Sequence, residues 1–344
     1  MKKLRVGVFG CGSISLHRHL PEYKARQDVE VVAVMDANKS RAATVAEKFG
    51  TKAVATVKAV LAEGVDAVSI CSPNMLHAEQ AIAAMKAGAH VLCEKPIGVS
   101  VPQLRAMIRT AKQTRKQCMA AHNQRFTPAH VRGKQIYQSG ALGKAWAFST
   151  SFAHAGPESW SADREKGFFF KKNLAVVGAM GDLGVHKLDL VRWLLEDEYV
   201  EMSAMVDTIA KPRLSAVDDT AFAVCRMKSG ILGQMFAGWN QVAGENNMTT
   251  IYCEKGVLKL LTNPDYAVIV EFANGERDYI KVGRIQTNEA GGQFGSGIID
   301  AFVNAIRSGK RVPVPVEDGA QSVAAVLACV ESAKKGRAVK VAKV

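Results

Sequence analysis

The chain has 344 residues, more than one hydrophobic core usually serves, so two domains are the expected organisation. At 48% hydrophobic and 22% charged residues it reads as a folded globular protein, which excludes a disordered or fibrous chain, and no apolar run approaches the ~20 residues needed to span a bilayer. The net charge of +13 comes from lysines and arginines spread singly and without interleaved aromatics, so no nucleic-acid partner is expected; the excess suits a solvated surface that favours anionic ligands.

Residues 1–123 alternate short apolar runs with amphipathic ones. Strands are predicted at Leu4–Phe9, Val29–Met35, Ala67–Cys71, His90–Cys93 and Cys118–His122. Helices are predicted between them at Ile14–Arg26, Lys39–Phe49, Val57–Ala62, Leu76–Ala87 and Pro102–Lys116. Buried strands alternating with helices imply a doubly wound parallel sheet covered on both faces. After residue 124 longer alternating runs follow one another: Ala145–Ala153, Val200–Ile209, Thr220–Met227, Gly230–Trp239, Thr249–Cys253, Val257–Leu261, Ala267–Phe272 and Arg277–Val282. Turn residues such as KSG, EKG, NPD and NG separate them, which implies a large, mostly antiparallel open sheet. Helices are expected there only at Asp182–Leu195, Gln293–Ser308 and Gly319–Lys335. An α/β domain over residues 1–123 followed by an α+β domain over 124–344 is the resulting fold class, with the last helix expected to pack back on the first domain.

The seven cysteines (11, 71, 93, 118, 225, 253, 329) form no CxxC pair and their number is odd. Reduced thiols in the cytoplasm are expected, and neither a disulfide framework nor a zinc site is indicated. The start, MKKLRVGVFGCG, imitates an export signal only faintly, because its apolar part is short and broken by glycines.

The first strand runs into Gly10-Cys11-Gly12-Ser13-Ile14-Ser15. Glycines at 10 and 12 allow a tight turn and the close approach of a pyrophosphate, and the helix that follows points its N-terminal N–H groups at that anion. Ser15 stands where the fingerprint has its third glycine. Asp36 ends the second strand, placed to accept hydrogen bonds from adenosine ribose hydroxyls and to repel a 2′-phosphate. NAD is therefore the preferred cofactor, while Lys39 and Arg41 leave NADP possible. A second cofactor-side loop is read at Ser72-Pro73-Asn74 with His77 beyond it, where plain turn chemistry is the alternative.

Two stretches carry chemistry. In AHVLCEKPIG a buried strand ends in Glu94, Lys95 and Pro96, charges that burial penalises unless they are paired or used. In GDLGVHKLD, Asp182 and His186 are spaced i, i+4 on one face of a helix start, and His186 and Asp189 are spaced i, i+3, close enough for the carboxylate to orient the imidazole. A neutral imidazole suits proton abstraction from an alcohol near neutral pH. An N-capping aspartate and a core histidine are the structural alternative. No third ligand accompanies them, so no metal is expected.

Together with Asn123-Gln124-Arg125-Phe126 and the closing RSGKRVPVPVEDGAQSVAAVLACVESAKKGRAVKV, these motifs resemble the Gfo/Idh/MocA oxidoreductases over nearly the whole length. The resemblance implies an NAD(P)-dependent dehydrogenase of a polyol or sugar secondary alcohol. His186 would take the hydroxyl proton as hydride leaves for the nicotinamide, Lys95 would donate to the same oxygen, and Asp182 would hold a neighbouring hydroxyl and help set the histidine's basicity. It further implies Gly10, Gly12, Ser13, Ile14, Asp36, Arg41, Ser72, Pro73, Asn74, His77, Glu94 and Lys95 as the cofactor set. Lys95, Asn123, Arg125, His154, Trp160, Asp182 and His186 form the expected substrate set, in which Asn123 and Arg125 lie where the family lines its cleft or simply begin a helix, and Trp160, in a loop with His154, offers a flat face to a sugar ring or packs in the core. A homodimer or homotetramer, with no nucleic-acid or membrane partner, completes the expectation. A phosphorylated or amino-sugar substrate, an NAD-dependent glycosidase and a nucleotide-sensing regulator are the rival readings; the first keeps Lys171-Lys172 in play.

Overall fold

A computed structural model describes residues 2–283 and 295–344 of the chain. The first half comprises β1 (Leu4–Phe9), α1 (Leu20–Lys24), β2 (Val29–Met35), α2 (Lys39–Phe49), β3 (Lys52–Val54), α3 (Val57–Ala62), β4 (Ala67–Ile70), α4 (Asn74–Lys86), β5 (His90–Cys93), α5 (Val101–Thr114) and β6 (Cys118–Ala120). Its six strands are all parallel, in the order β3-β2-β1-β4-β5-β6. Every residue of β4 and β6 is buried, as strands covered on both faces require. The strand order reverses between β1 and β4, so the loops leaving those two strands open a crevice at the carboxyl end of the sheet. The loops after β2 and β5 border the same crevice. Sequence position alone therefore gathers Gly10, Asp36, Ser72 and Lys95 on one edge.

The second half comprises α6 (Pro128–Gln138), β7 (Ala145–Ala153), α7 (Lys172–Ala175), α8 (Val185–Leu195), β8 (Tyr199–Asp207), β9 (Thr220–Met227), β10 (Leu232–Gly238), β11 (Thr249–Cys253), β12 (Gly256–Leu260), β13 (Val268–Phe272), β14 (Arg277–Ile280), α9 (Ile298–Ser308), α10 (Val316–Lys335) and β15 (Val339–Lys340). These strands form a nine-stranded sheet ordered β14-β13-β12-β11-β7-β10-β9-β8-β15, antiparallel except where β7 lies parallel to β10. One face is packed under α6, α8 and α10. The other is open: Met205, Phe222 and Phe236 face one another across β8, β9 and β10, and Met205 is 81% and Phe222 57% exposed.

The last helices return to the first sheet. Arg26 of the first domain bonds Asp300 and Asn304 of α9, and Glu22 receives both the N–H and the hydroxyl of Ser296. Helix α10 packs on α5 and β6 as well as on α8 and β8. At Gly319 a Cβ would stand 2.6 Å from the Cβ of Ala120, so only glycine admits that approach.

Several expectations change in detail. The helix predicted over Ile14–Arg26 opens as a π-turn at Ser15–His19 before α1. The helix predicted from Asp182 likewise opens as a π-turn, Met180–Gly184, and becomes α-helical at Val185. Wide turns of this kind are rare and concentrate at functional sites. The helix predicted over Gln293–Ser308 begins at Ile298; residues 293–294 of that prediction lie outside the described residues. Strands β3 and β15 and helices α6 and α7 were not anticipated.

Candidate active site

The crevice is continuous with a cleft of ≈ 470 Å³ between the two sheets, lined from both domains and within the size range of ligand sites. At its first-domain edge Gly10 has φ +92°, and a Cβ there would lie 2.5 Å from the carbonyl oxygen of Cys71. At Gly12 a Cβ would meet nothing within 4 Å, so the space that its missing side chain leaves belongs to the cleft. Asp36 accepts from the N–H of Cys11 at 2.8 Å and from that of Asn38 at 2.8 Å, which ties the end of β2 to the glycine turn. Gly10, Gly12, Ser13, Ile14, Asp36, Arg41, Ser72, Pro73, Asn74, His77, Glu94 and Lys95 all line this one cleft. A bare turn with a carboxylate at the tip of β2 fits a dinucleotide: room for the pyrophosphate against the backbone, and an acceptor for ribose hydroxyls.

The loops are braced from behind. His77 spans the carbonyl oxygens of Pro96 and Ser72, 2.7 Å to each, and Ser72 donates to Gln80 at 2.7 Å. The Lys95–Pro96 peptide is cis. Glu94 is buried, with one oxygen 3.0 Å from His19 Nε2 and the other accepting from the Lys95 N–H at 3.3 Å. His19 continues to Ser69 and Tyr23. Burial alone would raise the Glu94 carboxyl, but the bond to His19 and the positive charge of His19, Arg18 and Lys95 bring it down to about 2. Glu94 is thus an ionised brace under the loop.

The Lys95 ammonium crosses to the second domain. Its Nζ donates to the Asp182 side chain at 2.7 Å and to the Asp182 carbonyl at 2.8 Å. The other carboxylate oxygen of Asp182 accepts from the indole N–H of the fully buried Trp239 at 3.1 Å. His186, a turn further on, lines the same cleft. Its Nδ1 is buried with no partner among the described residues, and its ring packs against Phe152 and edge-on to His122, with centroids 5.8 and 6.1 Å apart. Burial, and then the charges of Lys95 and other cations nearby, hold the His186 imidazolium well below its ordinary range, so the ring is neutral at neutral pH.

Two expectations are corrected here. Asp189 does not orient His186; it takes two bonds of 2.7 Å from Arg125 and one of 2.9 Å from Ser322. Arg125 in turn is absent from the cleft lining, because its guanidinium is spent on Asp189 and on Asp318 of α10. The pair is buried and joins the 123–126 turn to α8 and α10, a structural tie. Asn123, His154 and Trp160 do line the cleft. His154 Nδ1 accepts from the Gly156 N–H, and Trp160 packs edge-on to His154 and Phe169. Sequence reasoning missed Arg18, Gln124, Phe152, Asp163 and Phe169 as lining residues, and Trp239 behind Asp182.

Among the described residues no three His, Cys, Asp or Glu side chains converge to hold a metal ion, and no helix is long and apolar enough to cross a membrane. Residues 4–122 match the oxidoreductase family with an NAD-binding Rossmann fold, and residues 130–259 match the GFO/IDH/MocA C-terminal domain. A levoglucosan dehydrogenase from Pseudarthrobacter phenanthrenivorans is 29% identical over 88% of this chain and 87% of its own length. A myo-inositol 2-dehydrogenase from Thermotoga maritima is 25% identical over 99% of both chains. The solved structure of a levoglucosan dehydrogenase in complex with NADH and L-sorbose superposes with a TM-score of 0.85 at 27% identity, covering 99% of each chain. With an NAD-binding Rossmann domain leading into the matching C-terminal domain, the chain belongs to the Gfo/Idh/MocA family of oxidoreductases.

Proposed function

We propose that this protein is a dehydrogenase that oxidises a secondary alcohol of a sugar or polyol, with NAD as its cofactor. The observation that carries the reading is one cleft lined by Lys95, bonded to Asp182, by His186 and by a bare glycine turn. Relatives named as levoglucosan and myo-inositol dehydrogenases support the substrate class. When bound, the nicotinamide supplies the hydride acceptor in oxidation and the donor in reduction.

The chain's own residues do the rest. Lys95 donates a hydrogen bond to the reacting oxygen and stabilises its developing negative charge. His186, neutral and with Nδ1 buried, takes the hydroxyl proton at Nε2. Asp182 holds Lys95 in place and accepts from a neighbouring hydroxyl, while Trp160, Phe152 and Asn123 wall the sugar ring. Asp36, at the tip of β2, supports NAD over NADP. Lys171 at the cleft edge favours a phosphorylated sugar as a second reading.

Two finer proposals accompany this one. The row Met205, Phe222, Phe236 on the open sheet face supports pairing with a second copy of the chain as a homodimer or homotetramer. The seven unpaired, buried cysteines support a reducing, cytoplasmic location. The experiment is a panel of inositols, aldoses, anhydrosugars and sugar phosphates with NAD and with NADP, read as reduced nicotinamide absorbance. Sustained net reduction separates oxidation from a glycosidase that only cycles its cofactor. No reduction with any member would overturn the reading.

A further inference from the structure

Arg41 sits in the first turn of α2, beside the carboxylate that ends β2, where a guanidinium ordinarily accommodates an adenosine 2′-phosphate. Yet Arg41 does not face the cleft as a free cation. Its Nη2 is ion-paired with Asp163, a residue of the second domain, and its Nη1 lies 3.9 Å from Asp36. Asp163 is carried on the loop that leaves β7, and that loop is anchored to the first domain on either side of it. Ser13 Oγ of the glycine turn donates to the Trp160 carbonyl at 3.1 Å, and Asn74 Nδ2 donates to the Ala175 carbonyl at 3.1 Å. Arg41, Asp36 and Asp163 all line the cleft.

We propose that Asp163 is a cofactor-specificity residue: by holding the Arg41 guanidinium it denies a 2′-phosphate its only cationic partner on α2 that lines the cleft, and it adds a second carboxylate to the one at Asp36. Asp163 acts through Arg41 and is a positioning residue. The proposal rests on the dinucleotide reading of the cleft and names what in this chain sets the choice between NAD and NADP. A 2′-phosphate approaching Arg41 meets the carboxylates of Asp36 and Asp163 and a guanidinium already paired, while Lys166, three residues beyond Asp163, also lines the cleft. A ribose 2′-hydroxyl meets an acceptor on Asp36. Arginine is suited to phosphate because its planar fork makes two parallel bonds, and that paired geometry is lost while Asp163 holds Nη2.

The test is titration of the purified full chain with NADH and NADPH, read by nicotinamide fluorescence and so independent of any sugar substrate. Asp163→Asn is expected to tighten NADPH about tenfold while NADH stays within about threefold, and Asp163→Glu, which keeps the charge, is expected to retain the wild-type preference. Adding Arg41→Ala to Asp163→Asn is expected to abolish the gain. Unchanged NADPH affinity in Asp163→Asn, equal weakening of both dinucleotides, or a gain that survives Arg41→Ala would each overturn the proposal. If the wild type bound neither dinucleotide, the reading of the cleft itself would fall; NADH binding with no response at Asp163 overturns this inference alone.

Discussion

The Trp239 indole offers the sharpest test of how Asp182 is held. Asp182 is buried, and each carboxylate oxygen has one named donor: Lys95 Nζ on one and Trp239 Nε1 on the other. Trp239→Phe removes the indole N–H and keeps an aromatic ring against Phe170. A hydrogen bond to a charged group contributes about 1.5–3 kcal/mol, and the smaller ring leaves a gap, so a stability loss of roughly 2–4 kcal/mol is expected by thermal or urea unfolding. If the indole also fixes the carboxylate against which Lys95 is placed, kcat/KM for the best sugar falls about 10- to 100-fold, carried mainly by kcat. Steady-state kinetics on the folded variant measure this. A variant that melts earlier but keeps kcat/KM within about twofold would refute the positioning role and leave Trp239 as packing.

Other predictions follow from the same geometry. Lys187 is wholly buried under Phe152, bonding the Asn247 carbonyl at 3.1 Å and the Thr249 hydroxyl at 3.4 Å, and burial, opposed by the Glu245 charge, brings its ammonium down to about 7. Below that pH the lysine is protonated in both states and the native state carries the full burial cost; from pH 7 to about 10.4 the unfolded chain binds the extra proton, so stability rises with pH. Lys187→Met is therefore expected to raise unfolding stability by a few kcal/mol at pH 6, with the gain shrinking above pH 7; destabilisation at pH 6 would contradict this. His122 and His130 are buried, which pushes them down to about 4 and about 3, so both favour the folded state only while neutral. Glu94 and Asp189, each at about 2, act in the same direction at lower pH. The contribution of these histidines and carboxylates is expected to be complete above about pH 6.5 and to fall from there downward, by about 3 kcal/mol from His122 alone by pH 4; a flat profile between pH 6.5 and 4 would be the contrary result. Gly12→Val places a side chain where nothing lies within 4 Å, so the fold is expected to persist while NADH affinity falls at least tenfold, about 1.4 kcal/mol; unimpaired binding would show that the cradle is elsewhere.

What was legible in the sequence followed from local rules. Parallel strands appear as short aliphatic runs, and in an open α/β sheet the ligand loops follow the strands, so Gly10, Gly12, Asp36 and Lys95 could be placed at one edge from their positions alone. Asp182 and His186 could be set near each other because they are four residues apart on one helical segment. Side-chain partners remote in sequence were not legible. Trp239 is 57 residues from Asp182, and its role appears only when β10 passes behind the π-turn. Arg125, next to Asn123 at a strand end, read as a cleft residue, but its partners are 64 and 193 residues away and draw it inward. The spacing that linked Asp189 to His186 was correct for a helix face and uninformative about which cation would reach the carboxylate first. Helix α6 is hard to read because Gly133 sits inside it, where a Cβ would stand 2.6 Å from a Leu260 methyl and press on that side chain.

Lys95 is the residue on which the account depends most. The direct measurement is turnover of the best substrate from the sugar and polyol panel by the wild type and by Lys95→Met, each shown to bind NADH. The account predicts sustained reduction of NAD by the wild type and a loss of about 10²–10³ in kcat for the variant, the usual cost of removing a donor aimed at the developing oxyanion. Turnover by Lys95→Met at the wild-type rate would contradict it.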